Sequence, residues 1–149
     1  MSQNKYDALK LSSQLCFPLY AASREVVKKY HPRLSELGIT YTQYVTLMVL
    51  WEHGKMNVKE LGEYLFLDSG TLTPVLKSLE AKGLVTRRRS SEDERVLIVE
   101  LKPEGMALRE KALSIPDEMA ACLKLDKDEC AQLYRLLYKI LLPADTQEE

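Results

Sequence analysis

The 149-residue sequence has few of the residues that hold small proteins together from outside a core: three cysteines, two histidines, one tryptophan and two phenylalanines. Cys16, Cys122 and Cys130 are an odd number with no close pairing. That argues against a secreted disulfide framework and for a reducing compartment. No C-x-x-C occurs, and His31 and His53 lack a ligand-spaced partner, so no metal is expected. No wholly apolar run exceeds five residues, as in Leu47 to Trp51, against the ~20 that a membrane-spanning helix needs. Met1 to Lys10 is polar with both charge signs and does not read as a signal peptide. The expectation is a cytoplasmic chain with no membrane partner. A Gly-rich phosphate loop, a nucleophile elbow and a peroxidase-type Pro-x-x-x-Thr/Ser-x-x-Cys are all missing, so neither a cofactor nor an enzyme is expected.

What is present suffices for one domain over 1–149. The hydrophobic fraction is 46%, and a chain of this length buries roughly 68–70% of its extended surface. The net charge of -1 is spread unevenly: residues 1–102 carry 15 basic and 12 acidic side chains, residues 103–149 carry 6 and 10. The sharpest excess, between Ser69 and Arg89, sets Lys77, Lys82, Arg87, Arg88 and Arg89 against Glu80 alone. A basic stripe in a neutral protein is either a nucleic-acid footprint or a solvated helix end and turn.

The apolar spacing of Leu11, Leu15, Leu19, Ala22 and Val26 predicts a helix from Tyr6 to about Tyr30, kinked or starting late at Pro18 and ended by His31-Pro32. A second helix is expected over about 41–52, closed by Gly54. Asn57 offers an N-cap for a third over 58–65, and Asp68 or Ser69 caps a fourth that stops at Gly83. The period then changes. Leu84-Val85-Thr86 and Val96 to Val99 are β-prone, with charged residues Arg87 to Arg95 between them, so a two-stranded hairpin with a long polar tip is expected. A helix over about 103–121, broken at Pro116, and another over 126–142 follow. In the last, Cys130, Leu133, Leu136, Leu137, Ile140 and Leu141 form one apolar stripe, within which Cys130 reads as plain core.

Helix, turn, helix and then a basic hairpin is the layout of a winged helix-turn-helix, mainly α with a small β wing. In such proteins the second helix enters the major groove of double-stranded DNA by its N-terminal residues. Here that end is Asp68-Ser69-Gly70-Thr71-Leu72-Thr73-Pro74. Ser69, Thr71 and Thr73 suit base edges and phosphates, and Lys77 suits a phosphate; the same hydroxyls also serve as ordinary caps. Arg87 and Arg89 add charge on the hairpin. Arg95 follows the acidic run Glu92-Asp93-Glu94. Either a carboxylate orients it toward a narrow minor groove, or it is a surface ion pair contributing ~0–1 kcal/mol.

Leu67 to Pro74, then Leu84-Val85 and Asp93-Glu94-Arg95, resemble the MarR family of bacterial winged-helix regulators. Gln14 to Tyr20 and Leu37 to Tyr44 are similar to its OhrR branch, repressors that respond to organic hydroperoxides through an N-terminal cysteine. The resemblance spans about residues 9–142. It implies a homodimer on a pseudo-palindromic operator, with dimerisation helices over about 9–32 and 103–142 and a DNA-binding lobe over about 41–101. It also implies that Asp93 and Arg95 serve the minor groove.

Cys16 on an apolar helical face otherwise reads as a small buried hydrophobe. The resemblance assigns it the peroxide-reactive position and makes Tyr30 and Tyr41 the hydroxyls that hold its thiolate, against an ordinary thiol pKa of about 8.5. Tyr30 lies 14 residues beyond Cys16 on the predicted helix, about 21 Å along its axis. Any hydrogen bond between them must therefore cross a dimer interface. Branch members resolve the sulfenic acid with a low-molecular-weight thiol or with a distal cysteine of the other subunit, a role whose spacing matches Cys122. Two other readings stand beside this one. A small aromatic ligand could release the repressor with Cys16 incidental, or the chain could be a thiol peroxidase, which the missing peroxidase constellation disfavours.

Overall fold

The structure, a computed structural model, describes residues 4–142; residues 1–3 and 143–149 of the expected domain lie outside the described residues. Two short 3-10 turns, Asp7–Leu9 and Leu11–Ser13, lead into helix α1, Cys16–Glu36. The late start fits Pro18, which falls third in α1, where backbone N–H groups have no carbonyl to reach. The expected stop at His31-Pro32 is wrong, because α1 continues through Pro32 to Glu36. Proline's φ is helical, so the cost is one hydrogen bond and a local clash. Leu34, 2% exposed, anchors the following turn in the core. The helix expected over 9–32 is therefore one over 16–36.

Helix α2, Tyr41–His53, begins at a reciprocal cap: the Gln43 N–H donates to Thr40 Oγ1 (3.3 Å), and the Thr40 N–H donates to Gln43 Oε1 (3.1 Å). Tyr44, Thr46, Leu47 and Leu50 are buried, which matches a helix apolar on most sides. Strand β1, Lys55–Asn57, was not expected, since three residues are too few to show a period. It pairs antiparallel with β3, Leu97–Leu101, which pairs in turn with β2, Val85–Arg89, giving the order β1-β3-β2. The wing is thus three-stranded. Arg87, Arg88 and Arg89 belong to the ladder rather than to the loop, opposite Val99, Ile98 and Leu97. Charged residues are compatible with strand pairing because the backbone makes the ladder and alternate side chains face outward.

Between β1 and β2 lie α3, Val58–Leu65, and α4, Ser69–Ala81. Asn57 caps the first through the Glu60 N–H (2.8 Å), and Asp68 caps the second through the Thr71 N–H (2.7 Å). The turn between them is tight. Phe66 adopts φ +53°, and a Cβ on Gly62 would stand 2.6 Å from the Leu67 carbonyl oxygen, so glycine lets the turn close. Leu61, Leu72, Leu76 and Leu79 are fully buried, each burial contributing about 1.5–3 kcal/mol.

The helix expected over 103–121 is two helices, α5, Pro103–Ala112, and α6, Ile115–Cys122. The break lies upstream of Pro116. Its ring excludes the carbonyl four residues earlier, that of Ala112, where α5 ends. Helix α7, Lys127–Leu141, starts at a reciprocal cap between Asp126 and Glu129. None of its residues is buried. Cys130, expected in the core, is exposed, because nothing among the described residues covers its apolar stripe. Tyr138 does reach the edge of Phe66, with ring centroids 6.4 Å apart. The core itself joins the end of α1, α2, α3, α4, β2, β3 and the α5–α6 junction.

Candidate nucleic-acid interface and redox site

The cap at Asp68 sets the first turn of α4 at the surface, with Ser69, Gly70 and Thr71 exposed and Thr73 half-buried. The Thr73 hydroxyl donates to the Ser69 carbonyl (2.6 Å), which fixes its rotamer. The Thr71 N–H holds the Asp68 carboxyl below the usual carboxylate range, so the cap is charged at neutral pH. Lys77 projects from the same helix into solvent. A groove of about 970 Å³ separates α3 and the start of α4 from the wing, with Ser69, Thr73 and Arg95 on its walls.

At the wing tip the Arg95 side chain is 90% exposed, yet it is not free to swing. Its Nε donates to Asp93 Oδ1 (3.1 Å) and its Nη2 to Asp93 Oδ2 (3.3 Å), while its backbone N–H donates to Asp93 Oδ1 (3.0 Å). These bonds hold the Asp93 carboxyl below its usual range. Arg89 Nη1 donates to the Glu94 carbonyl (3.3 Å) and stiffens the same loop.

Arg87 is different. Its side chain is 19% exposed and closes on Glu80 of α4 through Nε (3.0 Å) and Nη2 (2.7 Å), and its backbone N–H donates to the other oxygen (3.1 Å). The Arg87 guanidinium holds the Glu80 carboxyl below the usual range. With both guanidinium donors on Oε2 and the backbone N–H on Oε1, these charge-assisted bonds commit the arginine to bracing β2 against α4, which leaves little of it for DNA. Sequence reasoning missed this, because Glu80 read only as the one acid within a basic stretch.

The cysteines lie apart. Cys16 is the exposed first residue of α1, and Cys122 is the exposed last residue of α6. Because α1 is continuous from Cys16 to beyond Tyr30, the two stand about 21 Å apart along one helix. Tyr30 and Tyr41 pack together with ring centroids 4.9 Å apart. Tyr44, unnoticed in the sequence, completes a cluster at 5.8 Å from Tyr30 and 6.4 Å from Tyr41. Its signal was its place one helical turn beyond Tyr41. Burial pushes all three phenols above their ordinary range, and for Tyr30 and Tyr44 the neighbouring tyrosines add to it. Their hydroxyls are protonated donors at neutral pH.

Helix α6 is fastened to α1 by Arg33, whose Nη2 donates to Ser114 Oγ (3.1 Å) and whose Nε lies 2.9 Å from Glu118 Oε2. Among the described residues no group of three His, Cys, Asp or Glu could hold a metal, and no helix is long and apolar enough to cross a membrane.

A capped recognition helix beside a wing with an oriented arginine defines a winged helix-turn-helix DNA-binding module. Comparison with known proteins agrees. A family model described as "Transcriptional regulator SarA/Rot" matches residues 28–112. The organic hydroperoxide resistance transcriptional regulator of Bacillus subtilis (strain 168) is 50% identical over 139 residues, 93% of this chain and 95% of the relative. Reduced AbfR bound to DNA superposes with a TM-score of 0.76 at 36% identity, covering 93% of this chain and 96% of that one. The disulfide form of AbfR, a protein of Staphylococcus epidermidis, gives 0.64 at 34% identity, covering 93% and 97%. The chain belongs to the MarR family of winged helix-turn-helix transcriptional regulators, in its OhrR branch. It is a DNA-binding regulator and not an enzyme.

Proposed function

We propose that this chain is a homodimeric repressor that releases its operator when an organic hydroperoxide oxidises Cys16. The observation that carries the reading is the separation of Cys16 from the Tyr30–Tyr41 pair along one unbroken helix. Two protonated phenols in one subunit are then available to a thiolate arriving from another. Exposed apolar side chains on α7 and at and just before the start of α1, including Leu15, Leu19, Leu133 and Ile140, supply the surface on which a second copy docks.

The Cys16 thiolate attacks the peroxide and breaks the O–O bond. Cys16 becomes a sulfenic acid, and the alkoxide leaves as the alcohol after taking a proton. The thiol of Cys122 of the partner subunit then condenses with the sulfenic acid, forming an S–S bond and releasing water. A low-molecular-weight thiol in place of Cys122 gives a mixed disulfide by the same balance. On DNA, Ser69, Thr71 and Thr73 meet the major groove, Lys77 and Arg89 the phosphates, and Arg95, aimed by Asp93, the minor groove. Arg87 acts as a brace. Half-sites on a pseudo-palindrome lie about 34–36 Å apart, so a stitched dimer with displaced reading helices no longer matches both. Both DNA-bound forms of AbfR, reduced and overoxidised, superpose better on this chain than its disulfide form does, which supports reading this conformation as the DNA-binding one.

A ligand-released repressor has two cavities in its favour. One of about 270 Å³ lies between Tyr44, Met48, Trp51 and Arg109, below the ~300–1,000 Å³ of typical small-molecule sites, and one of about 450 Å³ beside Val27, His31, Tyr41 and Lys82 lies within that range. The redox reading is preferred on Cys16 and the tyrosine cluster, and Cys16→Ser separates the two, since a ligand-released repressor would keep its response. The test is a non-reducing gel, intact mass and gel shift after stoichiometric cumene hydroperoxide, on wild type, Cys16→Ser and Cys122→Ser. A covalent dimer that needs both cysteines, with loss of DNA binding, is the expected result. A Cys16-dependent adduct on single chains supports the mixed disulfide instead. An unmodified Cys16 overturns the redox mechanism.

A further inference from the structure

Gln43 is 4% exposed, and with Thr46 it makes up the buried polar side chains among the described residues. Thr46 is satisfied within α2, donating to the Thr42 carbonyl (2.7 Å). Gln43 reaches off its helix. Its Oε1 accepts from Lys82 Nζ (2.8 Å) as well as from the Thr40 N–H, and its Nε2 donates to Ser78 Oγ (2.8 Å). Lys82 Nζ also donates to the Gly38 carbonyl (2.7 Å). Ser78 and Lys82 thus tie the C-terminal end of α4, opposite its groove-facing end, to the turn between α1 and α2.

That turn is also where the tyrosine cluster is mounted. Tyr41 is the first residue of α2, and Tyr30 lies on α1 about two turns before Gly38. An apolar residue at position 43 would fill the site without an amide to satisfy, and a buried amide is costly unless every bond is made. Apolar contacts between α2 and α4 tolerate small slides, whereas hydrogen bonds from Lys82 and Ser78 fix a direction and a register. We infer that Gln43 and Lys82 are positioning residues that couple the α1–α2 turn to the recognition helix, so that displacement of the Tyr30–Tyr41 pair reaches the DNA-reading face as movement of α4. This inference rests on the redox reading above and adds the route by which the signal travels.

The test uses the full chain and a duplex selected by the reduced protein from a random-sequence pool. Fluorescence anisotropy gives Kd before and after cumene hydroperoxide for wild type, Lys82→Met and Lys77→Met. Both lysines are exposed positions on or at the end of α4, so the two variants lose the same charge; Lys82→Met leaves Gln43 Oε1 its bond from the Thr40 N–H, and Tm and circular dichroism check that each variant folds. The readout is the ratio of oxidised to reduced Kd. Lys82→Met is expected to shrink that ratio about five-fold, within the range of ~0.5–2 kcal/mol through which a coupling residue acts. Lys77→Met should weaken both forms together and leave the ratio alone. A Lys82→Met ratio equal to wild type, with both affinities shifted in parallel, overturns the inference and leaves Lys82 as a charge near DNA. A wild-type ratio near one, with Cys16 oxidised by mass, overturns the redox reading itself.

Discussion

The lobe from α2 to β3 and the helices that flank it are built to different standards of completeness. In the lobe, leucines of α2, α3 and α4 are fully buried, helix starts are capped, and an Arg–Glu fork braces wing against helix. The first half of α1 and all of α7 bury nothing, although α7 carries an apolar stripe and a complete cap of its own. One region has satisfied its residues within the chain. The other leaves apolar surface exposed, which the proposed dimer would cover. The proposed sensor, divided between subunits, accounts for this arrangement, since a thiolate and phenols held in one core could not report on the relation between two DNA-reading lobes.

The most severe way to break the lobe is to hollow it. Leu72→Ala, on the buried face of α4, should cost about 2–5 kcal/mol in urea unfolding, and no compensation from dimerisation is expected. For the flanking region, Ile140→Asp puts a charge on a side chain that is 64% exposed in the single chain. Under the proposed dimer that charge becomes buried, and sedimentation should show monomers with operator affinity reduced about 100-fold, near 2.8 kcal/mol. Unchanged sedimentation would show that the stripe is not the interface.

Two arginines of the wing sharpen the contrast further. Arg95→Ala should lower operator affinity about ten-fold, within the ~1–3 kcal/mol expected of a groove contact, without moving Tm. Arg87→Ala should do the reverse, lowering Tm through loss of the Glu80 fork while the salt dependence of binding stays near wild type. The smallest effect concerns pH. Asp68 is held below its ordinary range by the Thr71 N–H, so its contribution is complete above the usual carboxylate pKa and lost as pH falls through the folded value. Asn caps as well but does not titrate. Asp68→Asn should therefore flatten the acid side of the stability curve below about pH 4, as read by Tm against pH.

Local chemistry was legible along the chain wherever one residue and its near neighbours carry the signal. Asn57 and Asp68 cap the helices they precede, and Gly54 and Gly83 take the positive φ that ends a helix. The wing's oriented Arg95 could be inferred because its partner lies two residues away. Pro32 misled because its penalty is local while the anchoring of Leu34 is not. Strand β1 has no period of its own and exists because β3 offers it an edge. Cys130 misled for the opposite reason: an apolar stripe says that something covers it, not which chain does.

From the sequence alone came the order of helices and wing, the residues that start and stop most of them, and the family resemblance of Cys16, Tyr30 and Tyr41. These depend on side-chain type and short spacing, which the chain states directly. Only the tertiary structure committed Arg87 of the basic stretch to Glu80, joined Tyr44 to the other phenols, and placed Gln43 against Lys82. Each of those depends on a partner from another element, brought near by burial of the leucine core, and no spacing along the chain encodes that meeting.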